Sequence, residues 1–246
     1  MSENHKLSLP RIVRHWLLNT VIEFGVSLTC IFPEPGRGLN AKPIPKCDSE
    51  DYAEGLLELF DSKQIIFSSR VADDDTRSRS GVVRILDRFR ALSRNDLSLR
   101  GEHGLLPTYR LSRLPGMDVH FKVTPHGGEV WEKLAQPDWA RYVSALGDMT
   151  SGDLISANRD LLFAYMGWYL ELHGEEILRE TIEWQTHTDF AIVYWKRLPS
   201  VYHASFQVQL AERCWAAGEP QWFRDCRSSI HSWHTQPWNL PDWPSE

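Results

Sequence analysis

The chain has 246 residues, 42% hydrophobic and 24% charged, which excludes the disordered, collagen-like and disulfide-rich classes. No run of about 18 apolar residues could span a bilayer, and the opening "MSENHKLSLPRIVRHW" lacks the apolar core and small-residue cleavage site of a secretory signal. A cytoplasmic protein without membrane contact is expected, carrying a net charge of −6 that sits entirely in the second half: residues 1–150 hold 20 basic and 20 acidic side chains, residues 151–246 hold 7 and 13.

In chain order, residues 10–24 place Val13, Trp16, Leu17, Thr20 and Phe24 on one helical face, with Gly25 at its end. "VSLTCIF" alternates as a strand, and "PEPGRGLNAKPIPKC" is a long Pro/Gly loop. Asp48 and Ser49 are cap residues for a helix over 49–61, in which Tyr52, Leu56 and Phe60 recur at helical spacing behind first-turn carboxylates. "IIFSS" predicts a short strand. A helix over 81–93 buries Val82, Ile85, Leu86, Phe89 and Leu92 and turns Arg84 and Arg88 outward.

Residues 107–123 read as a β-hairpin, with Pro115-Gly116 as turn and Val119, Phe121 and Val123 alternating. Thr124 is placed to cap the next helix, with Pro125 near its first position and Val130, Trp131 and Leu134 inward. "QPDWARYVSALG" continues in helical register, and Gly147 followed by "TSGD" marks a domain boundary. The second half opens with a helix over 157–173, striped by Leu161, Tyr165, Trp168 and Leu172 and widened by Leu162, Met166 and Tyr169. "DFAIVYWKRLP" predicts a helix capped by Asp189 and stopped by Pro199. "VYHASFQVQL" alternates as a strand with His203, Ser205, Gln207 and Gln209 on its wet face.

The order of helix 49–61, helix 81–93, hairpin 107–123 and helix from Thr124 resembles a winged-helix domain over roughly residues 48–136. Its most specific piece is "HFKVTPHGGEVWEKL", where Val123, Thr124 and Gly127 resemble the wing-to-helix junction of bacterial winged-helix regulators. "IIFSS" departs from that pattern by falling between the two helices of the helix-turn-helix. "GGEVWEKLAQPDWARYV" and "YWKRLPSVYHASF" are similar to segments of an uncharacterised bacterial family. These resemblances imply an α+β fold: a winged-helix-like unit over 1–147 and a mixed α/β unit over 148–246.

No catalytic signature is present: the chain lacks a GxSxG elbow, a GxGxxG and a GK[ST]. Gly127-Gly128 at a helix N-terminus could meet an anion, but turn chemistry, through glycine's conformational freedom, is the favoured reading of the pair. Cys214, Cys226, His231 and His234 match no common zinc spacing, and Cys30 and Cys47 complete a set of four reduced thiols. No cofactor is expected, and the protein reads as a non-enzyme.

Two surfaces remain. Nine arginines lie between Thr76 and Arg113, among them Arg84, Arg88, Arg110 and Arg113; on a winged helix they would meet phosphates. The acidic second half offers Glu175, Glu176, Glu180 and Glu183, and the tail adds Trp238 and Trp243, residue types suited to a protein interface. The leading expectation is a binding protein, of the immunity or antitoxin kind, that covers a toxin's basic surface. A DNA-binding regulator is the alternative.

Overall fold

The computed structural model describes residues 9–31, 44, 47–69, 75–91, 119–147, 150–173, 175–210, 233–240 and 243. Its architecture is α+β, with helices packed on antiparallel sheets in two units, Met1–Ala135 with Gln236–Glu246, and Gln136–Thr235. The division falls at Ala135/Gln136, because Gln136 adopts a left-handed φ of 47° and Pro137 cannot continue the helix. The expected 147/148 position instead lies inside a strand pairing of the second unit, where Gly147 faces Gly152.

The first unit contains α1 (Leu9–Thr20), β1 (Val26–Ser27), α2 (Ser49–Asp61), β2 (Ile65–Ser69), α3 (Arg79–Ala91), β3 (Val119–Val123) and α4 (Pro125–Ala135). Helix α2 starts where the sequence places it: Asp48 accepts hydrogen bonds from the N–H groups of Glu50 and Asp51, at 2.9 and 3.1 Å. The Asp51 carboxylate in turn accepts from the Asp48 N–H at 2.9 Å. This reciprocal box satisfies N–H groups that a helix start otherwise leaves unpaired. Gly55 lets α1 approach closely, since a Cβ there would press on Val13 and Leu17.

The core of this unit joins Trp16, Leu17, Tyr52, Leu56, Leu86, Phe89, Phe121 and Trp131, each 2% exposed or less. Trp16 and Tyr52 stack with centroids 5.0 Å apart. Helix α2 packs between α1 and α3, and Arg90 of α3 bridges the two through an ion pair to Glu50 at 2.8 Å while also pairing with Asp87 of its own helix at 2.9 Å. The sheet runs in the order β1-β3-β2, with Ile65 facing Val123 and Phe67 facing Phe121. Because side chains alternate along a strand, this register sends Ile65, Phe67, Phe121 and Val123 into the core. Among the described residues of "VSLTCIF" only Val26–Ser27 is strand; Leu28–Ile31 turns into a short 3-10 helix. Residues 107–118 of the expected hairpin lie outside the described residues; among the described residues β3 pairs with β1 and β2. The tail's Pro237–Asn239 turn packs on α1, with the Asn19 amide donating to the Gln236 side chain at 3.4 Å.

The second unit contains β4 (Ser144–Gly147), β5 (Ser151–Ser156), α5 (Arg159–His173), β6 (Glu175–Ile177), β7 (Glu183–Val193) and β8 (Lys196–Leu210). The long strand β8 is central: it pairs with β5 on one side and with β7 and β6 on the other. Ala204, Phe206 and Val208 on its inner face bury against Leu162, Tyr165 and Met166 of α5. Asn158 begins α5 by accepting from the N–H groups of Asp160 and Leu161, at 3.0 and 3.2 Å.

Two helix predictions give way to strands here. Over 189–198 the chain forms the β7–β8 hairpin, closed by Tyr194 and Trp195 between the paired Val193 and Lys196. The apolar run Phe190, Ala191, Ile192, Val193 fits either periodicity, and its β-branched and aromatic content decides for the sheet. Asp189 is not a helix cap: it sits within β7 at a φ of 50°, tied to the Arg197 guanidinium at 2.8 Å. Residues 139–147 form one 3-10 turn, capped by Asp138, and then β4, which pairs with β5. Trp139, Tyr142, Trp195 and Trp233 pack into an aromatic cluster whose Tyr142–Trp233 centroids lie 4.6 Å apart.

Candidate interaction surface

Strand β7 offers two different faces to solvent. On the inner face Trp184 packs partly against the core beneath α5, and Phe163 of α5 stacks on it with centroids 4.6 Å apart. The Arg159 guanidinium lies 5.0 Å from the Trp184 ring centre and 5.7 Å from that of Phe163. Phe163 is 52% exposed, so a large apolar ring is held at the surface, braced by a tryptophan and an arginine. Cation–π attraction and ring packing favour this arrangement of the three side chains.

On the outer face the strand register aligns Glu183 and Asp153 on either side of Ser205. His203 lies one step further along β8. Its Nε2 is 2.7 Å from the Asp153 carboxylate, and its Nδ1 is 3.4 Å from His187 Nε2. A carboxylate only accepts, so His203 Nε2 carries the donated proton; in a neutral ring Nδ1 is then the acceptor, and His187 donates to it from Nε2. The three groups form a chain rather than a converging set. Among the described residues no group of three or more His, Cys, Asp or Glu side chains could hold a metal ion.

Of the residues singled out from the sequence, Glu180 and Glu183 are exposed, on the turn before β7 and at its first position. Glu175 and Glu176 lie on β6, paired with Leu210 and Gln209. Trp238 and Trp243 are half-buried and belong to the first unit, so the acidic set and the tail tryptophans sit in different units. Arg84 and Arg88 are exposed one turn apart on α3, while Arg110 and Arg113 lie outside the described residues. So do Cys214, Cys226 and His231 of the zinc spacing.

Arg159, Phe163, Asp153 and His187 were missed. A signal for Phe163 existed, because it belongs to neither apolar stripe of its helix and so had to face outward. His203 was already on the wet face of its strand, but its partners come from strands separated in sequence, and only the register brings them together. Compared with known proteins, the chain matches no family model, no curated protein and no solved structure.

Proposed function

We propose that this chain is a non-enzymatic bacterial binding protein that recognises another protein through its second unit, in the manner of an immunity protein or antitoxin that covers a toxin's basic surface. The observation that carries the reading is the exposed Phe163 ring stacked on Trp184 beneath Arg159, a preassembled cluster of interface-anchoring residue types. Charge supports it: residues 136–235 hold 13 acidic against 8 basic side chains, which favours encounter with a basic partner. Among the described residues β7 pairs with β8 alone, and an edge strand of this kind can accept an added strand from a partner.

The test is affinity capture with the tagged full chain from its native cells, beside W184A and an E180K/E183K double variant. The expected result is one protein retained by the wild type, lost with W184A and weakened by the charge reversal. Capture of no specific protein, or equal retention by all three baits, would overturn the reading.

Arg84 and Arg88 favour a second reading, a winged-helix DNA-binding regulator, because both are exposed on the face of α3 opposite its buried stripe. Binding to duplex DNA that weakens steeply with salt and disappears in R84E/R88E would select it.

A further inference from the structure

We infer that a pocket in the first unit, between α1 and α4, binds a small organic carboxylate with an apolar body. On α1, Arg11, Arg14, His15 and Leu18 fall at positions i, i+3, i+4 and i+7, one continuous stripe of the helix. On α4, Val130, Lys133 and Leu134 form the facing stripe at i, i+3 and i+4. Helices that pack this way usually fill the space between them with interdigitating side chains. Here the two stripes and Gln64, which lies just before β2, instead line an open pocket of about 280 Å³. That is at the small end of ligand pockets, which run from roughly 300 to 1,000 Å³.

The chemistry of the lining selects the ligand. Leu18, Val130 and Leu134 give it an apolar wall, and Arg11, Arg14 and Lys133 bring three cationic side chains to it. Among the described residues no carboxylate belongs to the lining. Arg14 reaches outside the pocket to Glu58, at 3.0 Å, which leaves Arg11 and Lys133 as the groups a ligand carboxylate would neutralise. An aliphatic or aryl body desolvates the wall while its single carboxylate meets the guanidinium and the ammonium, and charge-assisted hydrogen bonds of that type are stronger than neutral ones. An organic cation of the same shape is repelled by the same groups, so the pocket discriminates by the sign of the head group and not by apolar area alone. The site is independent of the surface on the second unit, and neither reading depends on the other.

Sodium octanoate is a suitable probe, with octylamine and 1-octanol as isosteric controls, titrated into the full chain labelled at its Leu and Val methyl groups. The expected result is a saturable shift of the Leu18, Val130 and Leu134 methyls by octanoate, much weaker effects from octanol and none from octylamine. R11E and K133E, both at exposed positions, should keep the wild-type circular dichroism and each weaken octanoate binding by about tenfold, the order expected for losing one charge-assisted contact. The inference is overturned if octanoate leaves these methyls unmoved, if octylamine or octanol binds as tightly, or if both charge reversals bind octanoate like the wild type.

Discussion

Gly127 of α4 lies so close to Gln64 that a Cβ at this glycine would collide with the Gln64 carbonyl oxygen, and with a Val123 methyl as well. The same carbonyl accepts the Thr124 backbone N–H at 2.9 Å, while the Thr124 hydroxyl donates to Lys63 O at 2.7 Å and accepts the Gly127 N–H at 3.0 Å. The segment "TPHG" therefore fastens the start of α4 to the turn before β2, and the glycine is there for close approach rather than for an anion. G127A is expected to lower stability by about 1–3 kcal/mol, the usual cost of overpacking where backbone must shift. Urea unfolding of the full chain, followed by far-ultraviolet circular dichroism, measures it; an unchanged midpoint would contradict the fit.

How much of this was readable beforehand depended on where the signal lay. Asp48, Thr124 and the apolar stripes of α2 and α3 act through neighbours within one helical turn, so α2 appears over its predicted residues, α3 begins within two residues of its predicted start and α4 begins where predicted, although its expected continuation past Ala135 does not form. The β7–β8 hairpin was not readable, because Phe190 to Val193 satisfies both helical and strand spacing and the choice rests on pairing with β8. The candidate surface was least accessible of all. Phe163 and Trp184 come from a helix and a strand twenty-one positions apart, and the Asp153–His203–His187 chain needs three strands in register.

Cys47 is buried beside the α2 cap, and burial together with the nearby Asp51 and Asp48 carboxylates pushes its thiol up to about 12, from an ordinary 9.0. Only the thiolate attacks alkylating reagents, so this shift cuts the reactive fraction at pH 8 by roughly a thousandfold. Brief treatment of the native protein with iodoacetamide should leave Cys47 unmodified while the partly exposed Cys30 reacts, and Cys47 should react once the chain is unfolded in urea. Residue-resolved mass spectrometry reads both states. Rapid native labelling of Cys47 would show that the α2 start opens readily.

Acid should loosen the start of α3. The Asp75 carboxylate accepts from the Ser78 hydroxyl and from the backbone N–H groups of Ser78 and Arg77, at 3.0 and 3.1 Å, and these bonds hold its titration below the usual carboxylate range. The unfolded chain, with an ordinary value of about 3.9, then binds the proton more readily than the folded one. The contribution to stability is therefore complete above about pH 5 and lost as the pH falls through the unfolded value to the lower folded one. Wild-type protein should lose amide-exchange protection at Val82 and Val83 between pH 4 and pH 2 more than D75N does, and equal losses would remove Asp75 from the cause.

The outer face of β8 yields a spectroscopic prediction, because the bond from His203 to Asp153 sets a proton's position. With the carboxylate accepting a hydrogen bond from Nε2–H, a neutral His203 should be the Nε2–H tautomer, and His187, donating to His203 Nδ1, should be the Nε2–H tautomer as well. Long-range proton–nitrogen correlation spectra at pH 8 distinguish the two ring nitrogens directly. D153A removes the acceptor that fixes the first ring, so His203 should shift toward a mixture of tautomers and His187 should follow through the 3.4 Å contact. H187A, at the far end of the chain, should leave His203 Nε2 protonated, because its bond to Asp153 at 2.7 Å is retained. If D153A changed neither ring while H187A changed His203, the order of the chain would be reversed and the carboxylate would not be the group that orients it.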